Sequence, residues 1–243
     1  MLSDPSLRDP TRKFDQTQCR AGTYKNIVHR DYLAHCLRWG WATGYISGKH
    51  DKEILDVGCG QDLPLIKIMR NNLWPKRYVG VDYNKIKCEA QPAWATLYSE
   101  FDFTTNYEKI DGPFDVITCF EVIEHMRPED GARLLSGLRY HLRPDAVALL
   151  STPVFNGRAA ANHLHEYTIL ELQAAIEAAG LEVVKRYGTF ASVQDLRRVM
   201  TPEHAAVDAQ VREFYGNEVA SCFLAPLYPD ASRNNAWLLR RAQ

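Results

Sequence analysis

Two short clusters in this chain combine imidazoles with carboxylates. One is Glu121-Val-Ile-Glu-His125 and the other is His163-Leu-His-Glu-Tyr167. A His or a carboxylate held beside a hydroxyl can take its proton near neutral pH. Glu124, His125, His163 and His165 are therefore the candidate catalytic residues. Each cluster follows an apolar run that reads as a buried strand, Phe114–Phe120 and Ala146–Thr152. Loops that leave parallel strands gather at one edge of the sheet, so both clusters are expected at the same mouth. His125 also has a plainer reading, as a ring that ties its loop to the base of that mouth.

A ligand for the mouth is suggested by Ile54-Leu-Asp-Val-Gly-Cys-Gly60. A strand over Glu53–Val57 runs into Gly58-Cys59-Gly60, where glycines let the backbone turn sharply and approach a ligand. Asp56, near the strand end, offers a carboxylate to an amine-bearing or cationic group. A dinucleotide-binding turn has a third glycine three positions later. Here Leu63 stands there, and Asp62 would repel a pyrophosphate, so a ligand without phosphates fits better. The next strand, Tyr78–Asp82, ends on an acidic residue that can accept both hydroxyls of a ribose. Tyr83 beside it can cover an adenine face. Asp82 has a second reading as a cap for the following turn.

The elements that position these residues alternate. A third strand is expected over Thr96–Phe103, and others over Leu181–Tyr187 and Ala236–Leu239. Helices are expected over Pro64–Asn71, Pro128–His141 and Thr168–Ala179, the last with a Thr168/Glu171 capping box and Gly180 as its stop. Such alternation predicts an α/β fold, a seven-stranded, mostly parallel, doubly wound sheet. From Tyr24 to Trp41, apolar Val28, Tyr32, Cys36 and Trp39 recur at helical spacing and predict a capping helix. Residues 191–233 break the rhythm, with helices expected over Val193–Val199 and Pro202–Tyr215. The chain thus divides into a tail and helical cap (1–50), a core (51–190), a helical insertion that can wall an acceptor site (191–233) and a last strand (234–243). The aromatics in the insertion and at its edge, Phe190, Phe214, Tyr215, Phe223 and Tyr228, suit either an apolar acceptor pocket or a small local core. Its Arg197, Arg198 and Arg233 suit a phosphate, a carboxylate or plain solvent.

Composition narrows the classes. A net charge of −1 gives no general pull toward nucleic acid or an anionic membrane. Residues 1–50 carry eight Lys/Arg against four Asp/Glu, which suits an anionic small molecule. The six cysteines form no Cys-x-x-Cys pair, so no zinc site is expected. No stretch has the length and apolarity of a signal peptide or membrane span, and a cytoplasmic protein is expected.

Asp56-Val-Gly-Cys-Gly60, then Gly80-Val-Asp82, then Phe114-Asp-Val-Ile-Thr-Cys-Phe-Glu-Val-Ile-Glu-His125 resemble the class I S-adenosylmethionine-dependent methyltransferases. The likeness runs from about residue 50 to 190 and is strongest to the branch with ubiquinone-biosynthesis O-methyltransferases. It implies S-adenosylmethionine as cofactor and a small-molecule acceptor, at oxygen rather than nitrogen or carbon. Gly58 and Gly60 would line the methionine portion and Asp82 the ribose. Asp102 with Phe103 would border the adenine, and Phe120 with Glu121 would close the site beneath the sulfonium. The chain is also similar to small-RNA 3′-terminal 2′-O-methyltransferases, whose Glu-x-x-Glu-His element and later His hold a divalent metal. The matching positions are Glu121, Glu124, His125 and His163. Met126 stands where that family tends to carry a second His, and no basic stripe for RNA is evident, so no metal is expected and RNA 2′-O-methylation is the alternative function. A cofactor-binding partner protein without catalysis is the second alternative. DNA-base methylation is disfavoured, because Phe120-Glu-Val-Ile replaces the Asn/Asp-Pro-Pro-aromatic or Pro-Cys motif of those enzymes.

Overall fold

The structure is a computed structural model and describes residues 23–24, 27–28, 30–46, 50–69, 74–88 and 91–243. The sheet strands are β1 (Glu53–Val57), β2 (Arg77–Val81), β3 (Ala95–Tyr98), β4 (Phe114–Phe120), β5 (Leu142–Pro153), β6 (Leu181–Phe190) and β7 (Asn234–Arg241). Their order is β3-β2-β1-β4-β5-β7-β6. β7 runs antiparallel to both its neighbours and the remaining pairs are parallel. Strand order reverses between β1 and β4, and a ligand crevice belongs beyond the carboxyl ends of those two strands. That edge is the top of the sheet.

Side chains alternate between two apolar layers, as strands covered on both faces require. Leu55, Ile117, Ala148 and Leu150 face one layer, with α4 (Pro128–His141) and α5 (Ile169–Ala178) packed over it. Ile54, Val116, Val147 and Leu149 face the other, under α1 (Arg30–Thr43) and α2 (Pro64–Met69). The Thr168/Glu171 capping box forms, and Gly180 follows the helix with φ +73°.

Three expectations are corrected. The third strand stops at Tyr98, because Asp102 accepts hydrogen bonds from the Thr104 N–H and hydroxyl and starts a one-turn helix, α3 (Phe103–Asn106). The capping helix starts at Arg30, after a two-residue antiparallel ladder joining Thr23–Tyr24 to Ile27–Val28. Its buried residues are Ala34, Arg38 and Ala42, not the expected stripe. Small side chains there let α1 lie close to the sheet. In the insertion, α6 (Val193–Arg197) is followed by α7 (Pro202–Phe223), which continues past Tyr215 across a kink at Gly216. α1 packs against both α7 and β6. Among the described residues no helix is long and apolar enough to cross a membrane.

Candidate active site

The turn after β1 is built without side chains where it meets its neighbour. Gly58 and Gly60 have φ of +74° and +76°, a region L-residues enter only at a cost. A Cβ on Gly58 would stand 2.3 Å from Val122 Cγ2. The N–H groups of Gly58 and Cys59 donate to the Val81 carbonyl at 2.8 and 3.1 Å, fastening the turn to the tip of β2. The Cys59 side chain points away into the layer under α1 and is 2% exposed, so only its main chain can line the mouth.

Asp82 stands at the top of β2. Its Oδ2 accepts from the Gly60 N–H at 2.9 Å and its Oδ1 from the Asn84 N–H at 2.7 Å. Each oxygen keeps a lone-pair site, a set that fits the two hydroxyls of a ribose. Burial pushes its pKa up against those two bonds. Tyr83 beside it is half exposed. Asp56 does not face the mouth as expected. Tyr78 Oη and Thr118 Oγ1 both donate to it at 2.7 Å, so it ties β1 to β2 and β4. Burial pushes its pKa up to about 6. Phe103 is also redirected: its ring lies in the α4 layer against Gly137 and His141. Asp102 is half-buried next to the Phe101 main chain, whose N–H donates to the Asp82 carbonyl at 2.9 Å. The adenine edge can therefore be bordered by Asp102 and the main chain of Phe103, not by the Phe103 ring.

At the end of β4, Phe120 stacks on Trp41 of α1 with ring centroids 6.4 Å apart. Glu121 has φ +57°, a left-handed conformation uncommon for a residue with a side chain. Its carboxylate holds that geometry by accepting from Ser151 Oγ at 2.7 Å and Asn234 Nδ2 at 2.8 Å. Burial opposes its ionisation, but Arg38, His35 and these bonds outweigh it and hold the pKa below the usual carboxylate range.

The two clusters singled out by their residue types meet. Donor atoms of Glu124, His125 and His163 all lie within 4.8 Å of one another, and the two imidazoles stand edge to face at 5.0 Å. His125 Nδ1 is 3.1 Å from the Asn162 carbonyl, and His163 Nδ1 is 2.5 Å from Glu166 Oε1. Both acceptors place the proton on Nδ1 and leave the lone pair on Nε2. Burial lowers the His125 pKa, so that ring is neutral at neutral pH. Glu124 is 1% exposed and accepts from Thr152 Oγ1 at 3.0 Å. Burial, then the neighbouring Glu121, push its pKa well above the usual carboxylate range. The Glu124 carbonyl accepts the N–H groups of Leu164 and His165 at 2.9 and 3.2 Å, which joins the loops. His165 stays outside the group, its ring edge-on to Tyr167 at 4.4 Å.

Several residues that shape the site were not assigned these parts from sequence. Glu166 lies inside the second cluster, three positions after His163, and that spacing was its available signal. Asn234, Ser151 and Thr152 carry no local signature, since strand pairing alone brings them to Glu121 and Glu124. Arg38 is one of the eight basic residues of the first 50 and has no local signature that sets it apart. In the insertion, Phe214 is 80% exposed and Tyr215 and Phe223 are half exposed, so they form neither core nor closed pocket. Arg233 pairs with Asp195 at 3.0 Å.

The family described as "Methyltransferase domain" matches residues 42–186, more than half of the chain. The chain is 28% identical over 132 residues to the small RNA 2′-O-methyltransferase of Rattus norvegicus, covering 48% of this chain and 33% of that protein. It is 31% identical over 108 residues to the ubiquinone biosynthesis O-methyltransferase of Rickettsia typhi, covering 41% and 40%. The chain thus spans well under two thirds of these curated relatives. Among solved structures it resembles a SAM dependent methyltransferase from Archaeoglobus fulgidus, with a TM-score of 0.57, 16% identity and coverage of 87% and 94%. The [4+2]-cyclase SpnF has a TM-score of 0.56 at 17% identity, with coverage of 90% and 83%. At these identities the likeness establishes the shared frame.

Proposed function

Since the chain belongs to the methyltransferase-domain family with S-adenosylmethionine as cofactor, we propose that it methylates an oxygen of a small-molecule acceptor, with His163 as the base. The observation that carries this reading is the Glu166–His163 dyad facing His125 beside the cofactor mouth. The residues offered to the cofactor fit it. The Gly58–Gly60 turn, held in a positive-φ conformation, would offer its main chain to the methionine portion, Asp82 has acceptor sites for the ribose, and Asp102 would border the adenine side. Phe120 and Glu121, at the end of β4, would close the site beneath the sulfonium. When bound, the cofactor supplies an electrophilic methyl group.

The protein's part is alignment, exclusion of water and removal of one proton. The hydroxyl proton of the acceptor passes to Nε2 of His163. Glu166, held also by the Ala160 N–H at 2.9 Å, keeps the ring in the right tautomer and stabilises the imidazolium that forms. His125 supports the pocket as a neutral ring. Residues 191–233 wall the acceptor side.

The test is turnover on a panel of phenols, catechols and aliphatic alcohols with His163→Asn, Glu166→Gln and His125→Asn variants. His163→Asn is expected to lower kcat by about 100-fold and Glu166→Gln by about tenfold, with a shifted pH profile. S-adenosylhomocysteine affinity should persist in both, and should be lost in Asp82→Ala. Unchanged turnover by His163→Asn on every accepted substrate would refute the base assignment.

A second reading is favoured by the donor geometry. One carboxylate and two imidazoles whose Nδ1 atoms are anchored to acceptors make a ligand set for a divalent cation, because metal-binding histidines are oriented in this way. Glu124, His125 and His163 would hold it. Glu121, the fourth position by resemblance, is taken by Asn234 and Ser151. A cation there would acidify a bound hydroxyl, and the acceptor would be an RNA or nucleotide hydroxyl, as the rat relative's name suggests. The readings exclude each other at His163, whose Nε2 lone pair serves either a proton or a metal. Chelator-resistant turnover supports the base. Loss with chelator, restored by Mn²⁺ at one equivalent, supports the metal.

A further inference from the structure

A cavity of about 280 Å³ opens between α1, the upper part of β6 and the end of α7. Pockets that seat small molecules begin at about 300 Å³, so this one suits a single-ring compound. Leu37 and Trp41 of α1, Tyr187 of β6, Ala236 of β7 and Cys222 of α7 line it. Trp41 meets Tyr187 edge-on at 5.9 Å and stacks on Phe120 at 6.4 Å. One aromatic wall of the cavity therefore continues to the end of β4, where the cofactor mouth begins.

Among the described residues the cavity has one charged lining residue, Arg38, which is 3% exposed. Its contacts are long, 3.4 Å to Asn234 Oδ1 and 3.7 Å to Glu121 Oε1. Its Nε has no acceptor among the described residues. Glu121 takes its hydrogen bonds from Ser151 and Asn234 at 2.7 and 2.8 Å, so it gives this arginine an ionic contact at 3.7 Å but no hydrogen bond. A guanidinium carries five donors, and burying it with so few acceptors is costly unless an anion completes the set. Thr189 adds one hydroxyl, which is spent on Asn234 at 2.8 Å; among the described residues the rest of the lining is apolar or aromatic and holds no carboxylate.

We propose that this cavity seats the methyl acceptor and that the acceptor is a single-ring aromatic acid. Its ring lies against Trp41 and Tyr187, and its carboxylate completes Arg38. The proposal rests on the methyl-transfer reading and adds the substrate class to it.

The test uses the full chain saturated with S-adenosylhomocysteine and three probes of one shape: benzoate, phenol and benzylamine. Binding is followed by saturation-transfer NMR and tryptophan fluorescence. Benzoate should bind at least about tenfold more tightly than phenol, and benzylamine most weakly, since charge-assisted bonds to Arg favour the anion. Leu37→Trp fills the cavity from an exposed rim where folding is not at risk, and Ala236→Leu fills it from the sheet. Both should weaken benzoate at least about tenfold. Arg38→Gln should erase the preference for benzoate over phenol. No benzoate binding by a wild type that binds S-adenosylhomocysteine overturns the proposal. So does a preference for benzylamine, or full benzoate affinity in Leu37→Trp. If Arg38→Gln loses S-adenosylhomocysteine and keeps benzoate, the guanidinium serves the cofactor and the proposal falls. A wild type that binds no S-adenosylhomocysteine overturns the methyl-transfer reading itself.

Discussion

Asp56 should make the protein less stable as pH rises, and its neutral isostere should remove that loss. The carboxyl is 6% exposed, and its pKa rises from an ordinary 3.8 to about 6 because burial penalises the charged form. The unfolded chain releases this proton near pH 4, whereas the native chain holds it to about pH 6. Between those values the native state binds more protons, so stability falls with pH. A shift of about two units costs about 3 kcal/mol once both states are ionised, and about 0.5 kcal/mol near pH 4. Asp56→Asn keeps an acceptor for Tyr78 or Thr118 and carries no charge. Urea titrations of both proteins from pH 4 to 8 measure the difference directly. The variant's advantage should grow by about 2 kcal/mol across that range, or about 4–8 °C in Tm for a domain of this size. A flat difference, or one that grows toward acid, would show that the carboxylate is solvated or paired with a cation in the native state.

Two further predictions concern the frame. Gly58→Ala combines a positive φ with a Cβ 2.3 Å from Val122 Cγ2, and should cost about 2–3 kcal/mol and weaken S-adenosylhomocysteine binding; adding Val122→Ala should restore part of the stability seen in urea titration. Thr168→Ala removes the capping box at α5 and should lower stability by about 1 kcal/mol, seen as a small drop in Tm with cofactor affinity unchanged.

Much of the frame was legible because its signals are local. The period of the strands, the capping pair at Thr168 and Glu171, and the glycines at 58 and 60 each declare their own conformation. The meeting of Glu124, His125 and His163 was legible in outline, since two loops after neighbouring parallel strands must share an edge. What failed depended on contacts distant in sequence. Asp56 looked ligand-facing until Tyr78 and Thr118 arrived from the flanking strands. Phe103 carried no sign that Gly137 leaves a hollow for its ring. Burial on α1 follows small residues and one arginine, and hydrophobic periodicity cannot register a buried guanidinium.

The two main-chain bonds that the Glu124 carbonyl accepts from Leu164 and His165 join the loop after β4 to the loop after β5. The two loops are therefore fastened to each other through main chain alone at this point. Side chains on either loop can be exchanged without undoing that link, while the two rings keep their own anchors at Asn162 and Glu166. A substitution at either ring therefore probes proton transfer or metal binding against a floor that stays joined.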